Sequence, residues 1–275
     1  MTGVQTCALP ILDAVDLGDL KVLHHDGLWG SSIWRYDGTR ATTARFDDDN
    51  RRIPFGAVGP SPSVLIIGAT GGNEIMASLT YGAGHVTAVE LNPVTVDLLR
   101  HTFADYSGHV VEDPRVDYVQ GDGRTFLGRS DEQYDLIWFV APDSYAASNA
   151  ATSGAFVLSE SYLYTKEMVE TAFDHLSDHG VMVAQFGDFA FDRRPTRTAR
   201  YLTTARAALA DRVERFADHV VLVTDDGETD FERVSTVMLG ASAFDHETVA
   251  GIEAAIAQSS HSTLRYVPGA VRVDG

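Results

Sequence analysis

The chain has 275 residues, of which 44% are apolar and 22% charged. That is ordinary globular usage and excludes collagen, coiled coil and wholesale disorder, and the length suits one large domain or a domain with a small appendage. With 21 basic against 39 acidic side chains the formal charge is −18; this speaks against a nucleic-acid surface, which needs clustered Lys and Arg to neutralise phosphates.

No run of about 18 apolar residues is present to span a bilayer. Asp outnumbers Glu 27 to 12 and Arg outnumbers Lys 19 to 2. A GC-rich or salt-adapted source explains this bias more simply than an acidic mouth for a cationic substrate, because net charge governs solubility and steering rather than a site.

Met1–Ile11 reads MTGVQTCALPI. Back-translated from a GTG start it matches a common sequencing-adapter primer, so residues 1–11 are expected to be an assembly scar and are set aside from the fold. The one cysteine, Cys7, falls inside that stretch. Disulfides, thiolate metal sites and a cysteine nucleophile are therefore not expected. A native start upstream and a truncated end near Gly275 are expected as well.

Residues 12–62 are polar, with Gly and Asp punctuation. Lys21–His24 and Ser31–Tyr36, followed by the turn signal Asp37-Gly38, predict a small β-hairpin region. Phe46–Arg52 reads as a charged loop, and Pro54, Pro60 and Pro62 as a stiff linker. From Ser63 to the end, apolar runs alternate with amphipathic stretches, the pattern of a parallel sheet with crossover helices. The predicted strands are Val64–Ile67, Val86–Glu90, Val116–Val119, Tyr134–Val140, Val181–Gln185, His219–Thr224 and Val234–Leu239. They are short and do not alternate, as strands covered on both faces should be. Helices are predicted over Asn73–Tyr81, Pro93–Asp105, Thr165–Ser177, Thr196–Val213 and His246–Gln258, with Thr165 and Asp245 as caps.

Three motifs carry chemistry. The strand Val64–Ile67 runs into Gly68-Ala-Thr-Gly71-Gly72 and then a helix; glycines there let a ligand approach the backbone. Glu90 ends the next strand, 22 residues beyond Gly68, where a carboxylate can accept both hydroxyls of a ribose. Gln120-Gly121-Asp122-Gly123 follows the third strand and offers an acid to an adenine amino group. Together they argue for an adenosine-type ligand across the sheet's switch point. Thr70 stands where a dinucleotide fingerprint wants its second glycine, which disfavours a nicotinamide cofactor.

These residues sit in stretches that resemble the spermidine synthase-like family of the class I S-adenosylmethionine-dependent transferases. The stretches are VLIIGATGG, GHVTAVELNP, DPRVDYVQGDGRTFL, YDLIWFVAPDS and LSESYLYTKEMVETAFDHLSDHGVMVAQ. The resemblance implies a Rossmann-like α/β fold with a mostly parallel seven-stranded sheet and an N-terminal hairpin. It implies S-adenosylmethionine or its decarboxylated form as cofactor, held by Gly68, Gly71, Gly72, Glu90, Asp122 and Gly123. It further implies aminopropyl transfer to a small-molecule amine. The branch most resembled pairs such a domain with membrane helices. A cytoplasmic domain with membrane segments outside this stretch is thus expected, and a homodimer is compatible with it.

The amine half departs from the family pattern. Of the acids that end the fourth strand in true synthases, Val140 replaces the first and Asp143 alone remains, the candidate base. The loop lacks the aspartate that holds an aminopropyl ammonium, and Glu74 is the nearest substitute. The His and Tyr that usually follow the hairpin are missing from Phe46–Phe55. Gln185 matches the glutamine after the fifth strand, and Tyr164 is a further substrate-side candidate. Asp143 reads equally well as a turn residue or cap, Tyr162 and Tyr164 as packing beneath a loop, and Glu160 as a solvated charge. Methyl transfer, or cofactor binding without turnover, remain the alternatives. Histidines are too scattered for a metal site, Ser159 lacks a nucleophile elbow, and Arg193, Arg194, Arg197 and Arg200 form a basic cluster opening a helix.

Overall fold

The computed structural model describes residues 18–25, 28–140, 161–188, 191–226 and 234–269. It opens on an antiparallel hairpin of β1 (Leu20–His25) and β2 (Leu28–Trp34). The remaining strands form one sheet of eight: β3 (Ser63–Ile67), β4 (His85–Glu90), β5 (Val116–Gln120), β6 (Tyr134–Phe139), β7 (Leu176–Gly187), β8 (Val220–Asp225), β9 (Val234–Gly240) and β10 (Ser262–Tyr266). Their spatial order is β10-β8-β9-β7-β6-β3-β4-β5. Strands β3 to β7 pair in parallel, β9 runs antiparallel between β7 and β8, and β10 runs antiparallel to β8.

The seven predicted strands are all present. The eighth, β10, escapes the pattern because its Ser262–Tyr266 residues are half-buried or exposed, as an edge strand's are. Phe46–Arg52 is a correction: rather than a loop it belongs to two 3₁₀ turns, Ala44–Asp48 and Asn50–Ala57. Pro54 is no linker either, since it is buried inside the second turn. Phe46 and Ile53 are fully buried among them, which pins the charged segment against the core.

Helix α1 (Arg40–Thr43) is a single turn. Helix α2 (Asn73–Thr80) buries every residue from Asn73 to Leu79, because sheet, hairpin and 3₁₀ segment enclose it on several sides; a helix covered all round can carry apolar side chains all round. The predicted helix Pro93–Asp105 is shorter: α3 (Pro93–Asp97), capped by Asn92, widens into a π-turn over Leu98–Thr102. Helix α4 (Gly123–Leu127) follows β5, and α5 (Lys166–Asp174) starts at the predicted cap Thr165, whose hydroxyl accepts from Met168 N. α6 (Thr196–Ala208) ends before the predicted Val213, and α7 (His246–Ile256) begins at the predicted cap Asp245.

The sheet separates two apolar layers. One joins Val64, Ile66, Val86 and Trp138 to α2, the 3₁₀ segment and hairpin residues Leu23 and Ile33. The other joins Leu65, Ile67, Ile137 and Phe186 to α5 and α6. Alternate residues of each parallel strand thus feed opposite cores.

Candidate active site

Strand register brings the motif residues to one edge. Ile67 pairs with Val89, and Glu90 with Gln120, so Gly68, Glu90 and Asp122 all emerge at the carboxyl ends of adjacent parallel strands. β3 lies between β4 and β6, where the chain order reverses. In open α/β sheets this switch point opens a crevice for ligands.

The loop is held open by its own backbone. Gly68 has φ +85° and Gly72 φ +83°, conformations that a side chain disfavours. Thr70 adopts φ +43° without being glycine, a strain of about 1–3 kcal/mol that surrounding contacts must offset. Two contacts do so: Thr70 N donates to Glu90 Oε2 at 2.7 Å, and Ser31 Oγ donates to Thr70 Oγ1 at 3.0 Å. Glu90, only 6% exposed, also accepts from Asn92 N at 2.7 Å through Oε1. Its carboxylate therefore ties the glycine loop to the start of α3.

Asp122 caps α4, accepting from Thr125 N at 2.7 Å. A side chain on Gly123 would overlap the Ile67 methyl, so this glycine serves close helix–strand packing. Leu91, next to Glu90, is 61% exposed. A large apolar residue so exposed beside a crevice is a candidate platform for a flat ring. No motif marks it, because in sequence a leucine after a strand is indistinguishable from core.

The hairpin lies directly on the loop. A Cβ on Gly71 would stand 2.5 Å from the Ser32 carbonyl carbon and closer still to its oxygen. Asn73 Nδ2 donates to that oxygen at 3.2 Å. An acidic side chain at position 71 would therefore displace β2. Glu74 is engaged elsewhere: it is 3% exposed, and Arg51 Nε donates to its Oε1 at 2.8 Å. Burial works against the Arg51 charge, but Glu74 and Asp49 outweigh it and hold the guanidinium above its ordinary value. Arg45 stacks on Trp34 and Phe46 and donates to Asn73 Oδ1 at 3.0 Å. Burial, then the neighbouring Arg51, push its pKa down to about 10.

Gln185 is buried on the Trp138 face of the sheet, accepting from Trp138 Nε1 at 3.1 Å and donating to Thr236 Oγ1 at 3.3 Å. Tyr164 packs its ring 5.5 Å from Phe186 and 6.4 Å from Tyr201. Asp143, Tyr145 and Glu160 lie outside the described residues. The structure thus gathers Gly68, Gly71, Gly72, Glu90, Asp122 and Gly123 at the carboxyl edge of adjacent parallel strands. Glu74 is tied to the 3₁₀ segment, and Tyr164 faces the second apolar layer. Among the described residues no group of three His, Cys, Asp or Glu stands together to hold a metal ion, and no helix is long and apolar enough to cross a membrane.

The residues suit a nucleoside. A strand-end carboxylate, an exposed leucine and a second acid at the next strand supply a diol acceptor, an apolar face and an amino-group acceptor. Residues 53–206 match the spermine/spermidine synthase domain model. The polyamine aminopropyltransferase of Buchnera aphidicola subsp. Acyrthosiphon pisum (strain Tuc7) is 28% identical over 145 residues, 52% of this chain and 46% of that protein. That of Korarchaeum cryptofilum is 30% identical over 120 residues, 44% of this chain and 34% of that protein. The chain spans about half the length of the curated relatives it matches. Among solved structures, the spermidine synthase of Thermotoga maritima superposes with TM-score 0.54 at 17% identity, covering 84% of this chain and 69% of that one. A spermidine synthase in complex with the transition state analogue AdoDATO gives TM-score 0.54 at 16% identity, over 90% and 74% of the two chains. These relatives do not bear out the membrane-fused branch. By the domain match across more than half its length, the chain belongs to the spermine/spermidine synthase family.

Proposed function

We propose that the chain is an aminopropyltransferase domain that holds a sulfonium nucleoside in the crevice and transfers its aminopropyl group to a small amine. When bound, the nucleoside supplies an electrophilic carbon beside a positively charged sulfur. The chain's residues do the rest. Glu90 accepts from the sugar hydroxyls, sharing oxygens that already fix the loop. Leu91 offers its exposed face to the base, and Asp122 accepts from the amino group while it caps α4. Gly68 lets the nucleoside approach the backbone, Gly71 seats β2 on the loop, and Gly123 lets α4 close on β3.

The attacking amine must be neutral, so a carboxylate has to receive its proton. Asp143 takes that role in this reading, with Gln185 on the acceptor side. The observation that carries the proposal is the pair of hydrogen bonds that Glu90 accepts from Thr70 N and Asn92 N at the switch point. It fixes the glycine loop and the start of α3 before any ligand arrives, so little ordering remains to be done on binding. The test is methylthioadenosine release from decarboxylated S-adenosylmethionine and putrescine, with Asp143→Asn as control. Release abolished by Asp143→Asn supports the reading, and no release from the unaltered chain removes it.

One observation favours a second reading, methyl transfer from S-adenosylmethionine itself. Position 71 has no room for an acid, and the Glu74 charge is neutralised by Arg51. The loop thus offers no spare carboxylate to an ammonium tail. Calorimetry with both nucleosides separates the two: tighter binding of the decarboxylated form excludes the methyl-transfer reading.

A further inference from the structure

A hollow of about 430 Å³ opens beside the carboxyl end of β7, lined by Tyr164, Phe186, Thr196, Arg200, Tyr201 and Thr204, with Arg197 at its edge. It is not the transfer crevice. Phe186 belongs to the α5–α6 layer, whereas its neighbour Gln185 turns to Trp138 on the opposite face. The larger hollow, about 620 Å³ around Tyr36, Thr80 and His109, lies at the far end of α2 and has walls of mixed charge.

The floor of the smaller hollow is aromatic. Phe186 and Tyr201 are 3% and 4% exposed, and their ring centres stand 5.0 Å apart. The Tyr164 ring closes the group at 5.5 Å from Phe186. The rim is a stripe of α6, because residues 196, 200 and 204 repeat every four and share a helix face. Its exposed charge is mainly basic. Arg193, Arg194, Arg197 and Arg200 fall within eight residues, and of the flanking acids Asp192 pairs with Arg265 while Asp188 is held by the start of α6. Among the described residues Arg193, Arg194 and Arg200 enter no ion pair, in a chain where acids outnumber bases 39 to 21.

The start of α6 is itself already satisfied. Asp188 accepts from Arg197 N at 3.2 Å and from Thr198 N at 2.8 Å. An anion arriving here would meet side chains rather than helix amides.

We propose that this pocket binds a small organic anion: a flat apolar body against Tyr164, Phe186 and Tyr201, with a carboxylate, sulfonate or phosphate group at Arg200. The guanidinium offers a planar pair of donors to such a group. The same charge repels a polyamine, so the pocket is not a second amine site. The proposal stands apart from the transfer reading and shares no residue with the nucleoside crevice.

Isothermal titration calorimetry of the full chain tests it with three isosteric probes: 2-naphthoate, 2-naphthylmethanol and 2-naphthylmethylammonium. The expected result is one naphthoate site, about tenfold tighter than the alcohol, with the ammonium weakest. Arg200→Gln should weaken naphthoate about five- to tenfold and leave the alcohol unchanged. Thr204→Trp, which fills the mouth from a half-exposed position, should remove naphthoate binding with an unaltered circular dichroism spectrum. Saturating methylthioadenosine should leave naphthoate affinity intact. Equal affinity for all three probes, indifference to Arg200→Gln, displacement by methylthioadenosine, or no saturable binding would each overturn the assignment.

Discussion

Replacing Gly71 by alanine tests the central feature of the site, the seating of the hairpin on the glycine loop. The new methyl would lie 2.5 Å from the Ser32 carbonyl carbon and 3.2 Å from Ile33 N. Ordinary carbon contacts need about 3.5–4.0 Å, so β2 must retreat by about 1 Å or more. Both obstacles are backbone, and no rotamer change relieves them. Overpacking of this kind costs about 1–3 kcal/mol. The retreat also loosens the Asn73–Ser32 bond and the Ser31–Thr70 bond, at about 0.5–1.5 kcal/mol each. The expected sum is about 3 kcal/mol, read by urea denaturation, or a melting temperature lower by about 5–10 °C. Gly59→Ala is the control, because a methyl there meets nothing within 4 Å; it should change stability by less than about 0.5 kcal/mol. A Gly71→Ala protein as stable as the unaltered chain would mean that β2 does not rest on this loop.

Three further outcomes follow from the same geometry. Glu74→Ala leaves the Arg51 guanidinium with Asp49 alone and should cost about 2–3 kcal/mol in denaturant. That is below the about 3–5 kcal/mol of a fully enclosed pair, because the Arg51 side chain keeps 29% of its surface exposed; a double-mutant cycle with Arg51→Met would show no coupling if the pair were incidental. Thr165→Ala should cost about 1 kcal/mol by loss of the α5 cap, and a thermal melt indistinguishable from the parent would contradict the capping. His109 lies between Asp105 and Glu112, whose hydrogen bonds raise its pKa above the ordinary value. The stability this lends is full below the unfolded value near 6.5 and fades as pH rises through the higher folded value. His109→Gln should therefore lower the melting temperature at pH near 5.5 and not near 9; a loss independent of pH would rule out the charge.

Read residue by residue, the sequence determined the alternation of strands and helices, the caps at Thr165 and Asp245, and the nearness of Gly68, Glu90 and Asp122. It could do so because these depend on local periodicity and on parallel register, which carries every strand's carboxyl end to the same edge. Tertiary structure alone decided the rest. Phe46–Arg52 looked like a charged loop because its arginines are polar by composition, yet cation–π stacking and the Glu74 pair hold them against α2. Glu74 seemed a substrate ligand until packing placed Arg51 beside it. Leu91 stands in the open at the end of β4, which no sequence pattern marks. The pocket beneath α6 needed Tyr164, Phe186 and Tyr201 brought together from three separate segments, and such long-range meetings leave no periodic trace in a chain.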